Sequence, residues 1–124
     1  ALYTSSATLN ATTDGYITSG QVNNGNGYTT GGVALASKAV TEDTNSGSTT
    51  AGSGIFDAAD PQWTSATFTA RGALIYNKTL GDASSNSRGA IAILDFGGDF
   101  SVSGGTFRIV FPAATRNTAI VRID

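Results

Sequence analysis

The stretch TSATFTARGALIYN, residues 64–77, constrains the fold of this chain more than any other. Ala66, Phe68, Ala70, Gly72, Leu74 and Tyr76 fall on one side of a strict alternation. Thr67, Thr69, Arg71, Ala73 and Ile75 fall on the other. A period of two belongs to a strand, whose successive side chains point to opposite faces. The threonines suit a sheet face turned to water. Gly72, in the middle of the run, marks a bulge or a closely approaching neighbour. No window of the sequence carries three or four turns of helical periodicity, so helices are not the framework.

Shorter runs repeat the pattern. Strands are expected at 1–4 (ALYT), 16–22 (YITSGQV), 33–40 (VALASKAV), around Ile55–Phe56, at 90–96 (AIAILDF), at 106–111 (TFRIVF) and at 119–123 (AIVRI). AIAILDF is apolar on both faces until Asp95, which predicts a central strand buried on two sides. In TFRIVF, Phe107, Ile109 and Phe111 face inward, and Pro112 ends the ladder. Between the runs lie Gly-, Ser- and Asn-rich loops such as NNGNGYTTGG (23–32), whose residues tolerate positive φ. The stretch 41–54 holds no apolar residue larger than Ala and reads as a flexible loop insertion.

The fold class expected is all-β: an antiparallel β-sandwich, or flattened barrel, of about seven or eight short strands. A chain of 124 residues forms a single domain, 1–124. It opens on ALYTSS, which reads as a strand already under way, so an upstream N-terminal segment is expected.

Composition narrows the function. Charged residues make up 13% of the chain, against the ~25% of an ordinary soluble domain, and the net charge is −2. Weak charge favours association over repulsion. The same balance argues against nucleic acid, which demands a Lys/Arg stripe to displace counterions. No apolar run approaches the length of a membrane-spanning helix. With no His and no Cys, the commonest general base and the thiolate nucleophile are both missing, as are thiolate and imidazole metal ligands. There is no dinucleotide or phosphate-loop motif, and no cofactor is expected. GNGYTTGG is Gly-rich, yet no helix follows to bring amide dipoles to a phosphate.

Few side chains remain as candidates. Asp95 and Asp99, in DFGGD, can meet around a Gly-Gly turn; as a metal site they are weak, because calcium takes six to eight oxygens and one turn supplies too few. Asp57 and Asp60, in DAAD, are a second carboxylate pair, and nothing in the linear order sets either pair at glycosidase spacing. The chain is therefore read as no enzyme. Tyr16, Tyr28, Trp63 and Tyr76 are rings on which a glycan could stack, although a lone Trp in a small β domain more often plugs the core. Arg71, Arg108 and Arg122 occupy outward strand positions; with Tyr28 and Trp63 they are the interface candidates, since Arg is enriched where subunits meet.

Two blocks carry a resemblance. ALYTSSATLNATTDGYITSGQVNNGNGYTTGGVAL and WTSATFTARGALIYNKTLGDASSNSRGAIAILDFGGDFSVSGGTFRIVFP together resemble small virion structural proteins of tailed bacteriophages. The typical line of that family runs from an ALYTSSA strand through a GYTTGG turn to TATFTARGALIYN, then an LDFG and SVSGGTF block and an apolar tail. The resemblance implies a head decoration (cement) protein, or a tail or fibre part, located in the virion. Its partners would be copies of itself in a symmetric oligomer such as a trimer, and a major capsid or other virion protein. It brings no catalytic residues. The chain departs from the family in lacking the segment upstream of ALYTSS and in a longer stretch at 41–54.

Overall fold

The computed structural model describes residues 1–43, 52–79, 89–115 and 118–123. Its named elements are six strands: β1 (Leu2–Tyr3), β2 (Ala39–Asp43), β3 (Ser53–Asp57), β4 (Gln62–Tyr76), β5 (Ala90–Arg108) and β6 (Val121–Ile123). They form two three-stranded sheets, ordered β1-β4-β5 and β2-β3-β6. The protein is thus all-β. Among the described residues no helix is long and apolar enough to cross a membrane. The chain divides into two compact units, Ala1–Val33 with Trp63–Phe107 and Ala34–Gln62 with Arg108–Asp124.

In the first unit β4 is the central strand. β1 lies antiparallel to it, Leu2 opposite Ala73 and Tyr3 opposite Gly72. On the other side Asn77 donates its amide to the Gly89 carbonyl, Thr69 Oγ1 meets Ser101 Oγ at 2.7 Å, and Thr67 Oγ1 accepts from the Gly104 amide. Those contacts descend β4 while climbing β5, so this pair is antiparallel as well. The alternation read from 64–77 holds: Ala66, Ala70, Gly72 and Leu74 are buried, and Thr67, Thr69 and Arg71 are exposed. Toward Tyr76 both faces close over, and Ala73 and Ile75 are buried too. Gly72 marks a close neighbour, as its position suggested. A Cβ built there would lie 2.7 Å from the Leu94 carbonyl oxygen, inside contact distance.

Small residues on the inner face of β4 let bulky ones from elsewhere cover it. Tyr28 packs edge-on to Phe68 with ring centroids 5.9 Å apart. Trp63 and Phe68 both meet Phe107, at 6.0 and 5.2 Å. Edge-to-face and tilted ring pairs of this kind add roughly 0.5–1.5 kcal/mol each beyond the area they bury. Leu2, Tyr3 and Val22 complete the core of this unit.

Three expectations are corrected. The segment AIAILDF is not central: β5 stands at the edge of its sheet, and none of its residues is fully buried. Its apolar residues on both faces identified a strand, but a two-sided apolar run does not say what covers it. Next, 90–96 and 106–111 are not two strands joined by a bridge. β5 runs unbroken through GGDFSVSGG, advancing from Leu94 to Ser101 while β4 advances only from Gly72 to Thr69. The surplus residues lie between Leu94 and Ser101, a span that holds Gly97 at φ +74° within the unbroken strand. Finally, six strands stand among the described residues instead of seven or eight. Residues 16–22 contribute only an isolated bridge between Tyr3 and Gln21, and of 33–40 only the end is strand. Of the loop expected over 41–54, residues 41–43 and 53–54 are strand, and 44–51 lie outside the described residues.

In the second unit β3 is central, antiparallel to both neighbours. The register aligns Val40, Phe56 and Val121 in one row across the sheet, and Thr41, Ile55 and Arg122 in the next. Ile55 and Ser53 are buried on one face. Val40, Phe56, Val121 and Ile123 share the opposite face, where Val40 and Ile123 are exposed.

Gly72→Ala is expected to cost about 1–3 kcal/mol in urea unfolding, because the added methyl must push the β5 backbone away. Gly98→Ala, with nothing within 4 Å of its Cβ position, serves as control. Its expected loss is no more than about 0.5 kcal/mol.

Candidate interaction surface

Arg71, Asp95 and Asp99 come together. Arg71 projects from the outer face of β4, and Asp95 and Asp99 lie on β5 across from it. Arg71 Nε stands 3.9 Å from Asp95 Oδ1, and its Nη1 stands 3.8 Å from Asp99 Oδ1. Asp95 Oδ1 also accepts the Gly97 amide at 2.9 Å, a local turn contact within DFGGD. Exposed pairs at such distances contribute at most about 1 kcal/mol. Their effect is electrostatic: a cation approaching this pair of aspartates meets Arg71 already between them. Among the described residues no group of three or more acidic side chains is close enough to hold a metal.

Beside this trio lies an open groove of about 330 Å³, floored by Gly72, Ile93 and Leu94 and rimmed by Thr4, Ser5 and Asp95. That volume is at the small end for ligand sites, which bury most of what they bind. Arg71 is the group on its wall able to select an anion, and its charge is met by the two carboxylates.

Arg108 behaves differently from Arg71. Its Nη2 donates to Asp60 Oδ2 at 2.5 Å, and Asp60 Oδ1 accepts the Phe111 amide at 2.8 Å. With the bond from the Ile109 amide to the Pro61 carbonyl, these contacts fasten the chain leaving β5 to the turn preceding β4. The Phe111 amide and then the Arg108 guanidinium hold the Asp60 carboxyl below its ordinary value. Asp60 is therefore a structural clip. Asp57, its neighbour in DAAD, ends β3 opposite Ala39. Arg122 is exposed on β6.

Of the aromatic candidates, Tyr28 and Trp63 are core residues, and Tyr16 and Tyr76 are half-buried. Tyr28 is 2% exposed and Trp63 is 7% exposed, so neither ring offers a face to a sugar or to another subunit. The Tyr28 hydroxyl accepts the Leu2 amide at 3.0 Å, and burial pushes its pKa well up. Tyr16 and Tyr76 stack on one another at 4.8 Å. The Tyr16 hydroxyl bonds to Gln21, and the Tyr76 hydroxyl donates to the Gly31 carbonyl. Gln21 Oε1 in turn accepts the Gly31 amide. Gly31 and Tyr28 of the loop NNGNGYTTGG thus tie that loop to its surroundings. No buried polar side-chain atom among the described residues lacks a partner.

What the sequence did not single out is exposed apolar surface. On β5, Ile91 is 48% and Phe100 53% exposed; on β2 and β6, Val40 is 79% and Ile123 72% exposed. All four sit on strands at sheet edges. Single exposed apolar residues are ordinary, but apolar edge strands are the places where sheets add further strands.

Comparison with family models, with curated proteins and with solved structures finds no match.

Asp60 gives a signed pH dependence. A carboxyl held low in the folded state stabilises above its unfolded value, ordinarily near 3.8, and that stabilisation disappears as pH falls through the folded value. Thermal melts from neutral pH down through that window should lose less stability in Asp60→Asn than in the wild type. Equal acid sensitivity of the two would remove Asp60 from the account.

Proposed function

We propose that this chain is a virion structural protein of a tailed bacteriophage, a capsid decoration or cement subunit. It stabilises the particle by contacts with copies of itself and with the major capsid protein. The observation that carries the reading is the apolar surface on edge strands of both sheets, Ile91 and Phe100 on β5 and Val40 and Ile123 on β2 and β6. A domain with so little charge has weak electrostatic protection against association through such edges. Burying apolar surface contributes roughly 25 cal/mol per Å² before the costs of association. A contact too small to hold two subunits in dilute solution is reinforced when many copies share a lattice.

The charged residues support the same reading. Arg71 and Arg108 are each met by aspartate within their own unit, so the outer faces of β4 and β5 present neutralised charge. A glycan-binding module is the other reading the sequence raised, but two of the aromatic residues it rests on, Tyr28 and Trp63, are in the core. A minor tail component would use the same surfaces and differs from a cement protein in copy number.

Stoichiometry in purified particles tests the proposal. A cement subunit is expected at a copy number within a small factor of the major capsid protein. A handful of copies per particle would place the chain in the tail, and absence from the particle would overturn the reading.

A further inference from the structure

Strand β2, taken with the residue that leads into it, carries a charge pattern that is its own complement. Lys38 immediately precedes the strand, and Val40 and Glu42 follow at every second position on it, so the cation comes first, the apolar residue in the middle and the carboxylate last. Among the described residues β2 is an edge strand, paired to β3 alone, and residues 38–42 are exposed throughout. We infer that β2 is the docking strand for a second copy of this chain, the two β2 strands pairing antiparallel about a two-fold axis at Val40. This deepens the building-block reading above and rests on it.

The geometry follows from strand pairing. A two-fold axis at Val40 puts Val40 opposite Val40 of the second copy, Lys38 opposite the second copy's Glu42, and Glu42 opposite its Lys38. Side chains directly opposite in an antiparallel pair have Cβ atoms about 4.5–5.5 Å apart, within reach of an ion pair. Lys38 donates to its own Leu35 carbonyl at 2.6 Å, one of the three donors an ammonium carries, which leaves two for a carboxylate. The axis also joins the row Val40–Phe56–Val121 to the same row of the second copy, making one apolar band across six strands.

The pattern also selects against the alternatives. A parallel arrangement sets Lys38 beside Lys38. A slip of two residues takes the charges out of register, and a slip of one turns the valines to opposite faces. Edge strands commonly use charge to refuse partners. Here the two signs are placed so that an antiparallel copy is accepted. A C2 contact demands this kind of self-complementary surface.

A charge swap tests it by sedimentation of the whole chain over a concentration series. Lys38→Glu and Glu42→Lys are each expected to weaken dimerisation about tenfold or more, since either turns two attractive pairs into two repulsive ones. The double variant K38E/E42K is expected to return to within about threefold of the wild type. The chain has no cysteine, so Val40→Cys supplies a single thiol. Mild oxidation should link it as a dimer, because opposed Cβ atoms lie close to disulfide range. The same oxidation should leave Ile91→Cys, on β5, monomeric. A wild type that stays monomeric throughout overturns the inference. So does a swap that fails to restore association. Cross-linking through Ile91→Cys in place of Val40→Cys would also overturn it, while leaving the building-block reading standing.

Discussion

The packing of β4 between β1 and β5 is the constraint on which the first unit depends. It works because the buried face of the strand is made of Ala66, Ala70 and Gly72, small enough for other elements to come close. At Gly72 the β5 backbone is so near that no side chain fits. The aromatic residues that fill the remaining space come from the loop (Tyr28), from the start of β4 (Trp63) and from β5 (Phe107). Small residues on the central strand and large ones around it are two halves of one packing solution.

A consequence is that the buried interior and the exposed apolar edges are separate parts of the sequence. The inner face of β4 is buried, and the half-buried Tyr76 and Tyr16 are tied to Gly31 and Gln21 by hydrogen bonds. β5 and β2 keep apolar side chains in water at their sheet edges. Charge is handled the same way: Arg71 and Arg108 are answered locally, while Lys38, just before β2, and Glu42 on it are the charges that the proposed second copy would answer.

Much of this was legible in the residues, and the failures have physical causes. The alternation over 64–77 located β4 and its buried face, and Gly72 announced the close approach, because both are local properties of one strand. Neighbours were not legible. AIAILDF has the composition of a buried strand, and only the sheet order shows it at an edge. Gly97 and Gly104 look like turn residues in sequence, yet both lie at positive φ inside the unbroken strand β5. Tyr28 and Trp63 show the same limit at the level of the candidate site. An aromatic ring is equally suited to a core and to a binding face, and burial decided for the core. The pairing of Asp95 and Asp99 was visible in DFGGD, but not that Arg71 stands between them, because that contact crosses from β4 to β5.

The central claim is that the apolar strand edges are covered in the assembled state. Amide hydrogen exchange, compared between the dilute chain and the chain in its particle, addresses it most directly. The account predicts that amides of β2 and β5 slow by at least about tenfold on assembly, while those of β4 remain as they were. Exchange at β2 and β5 that is the same in both states would contradict it.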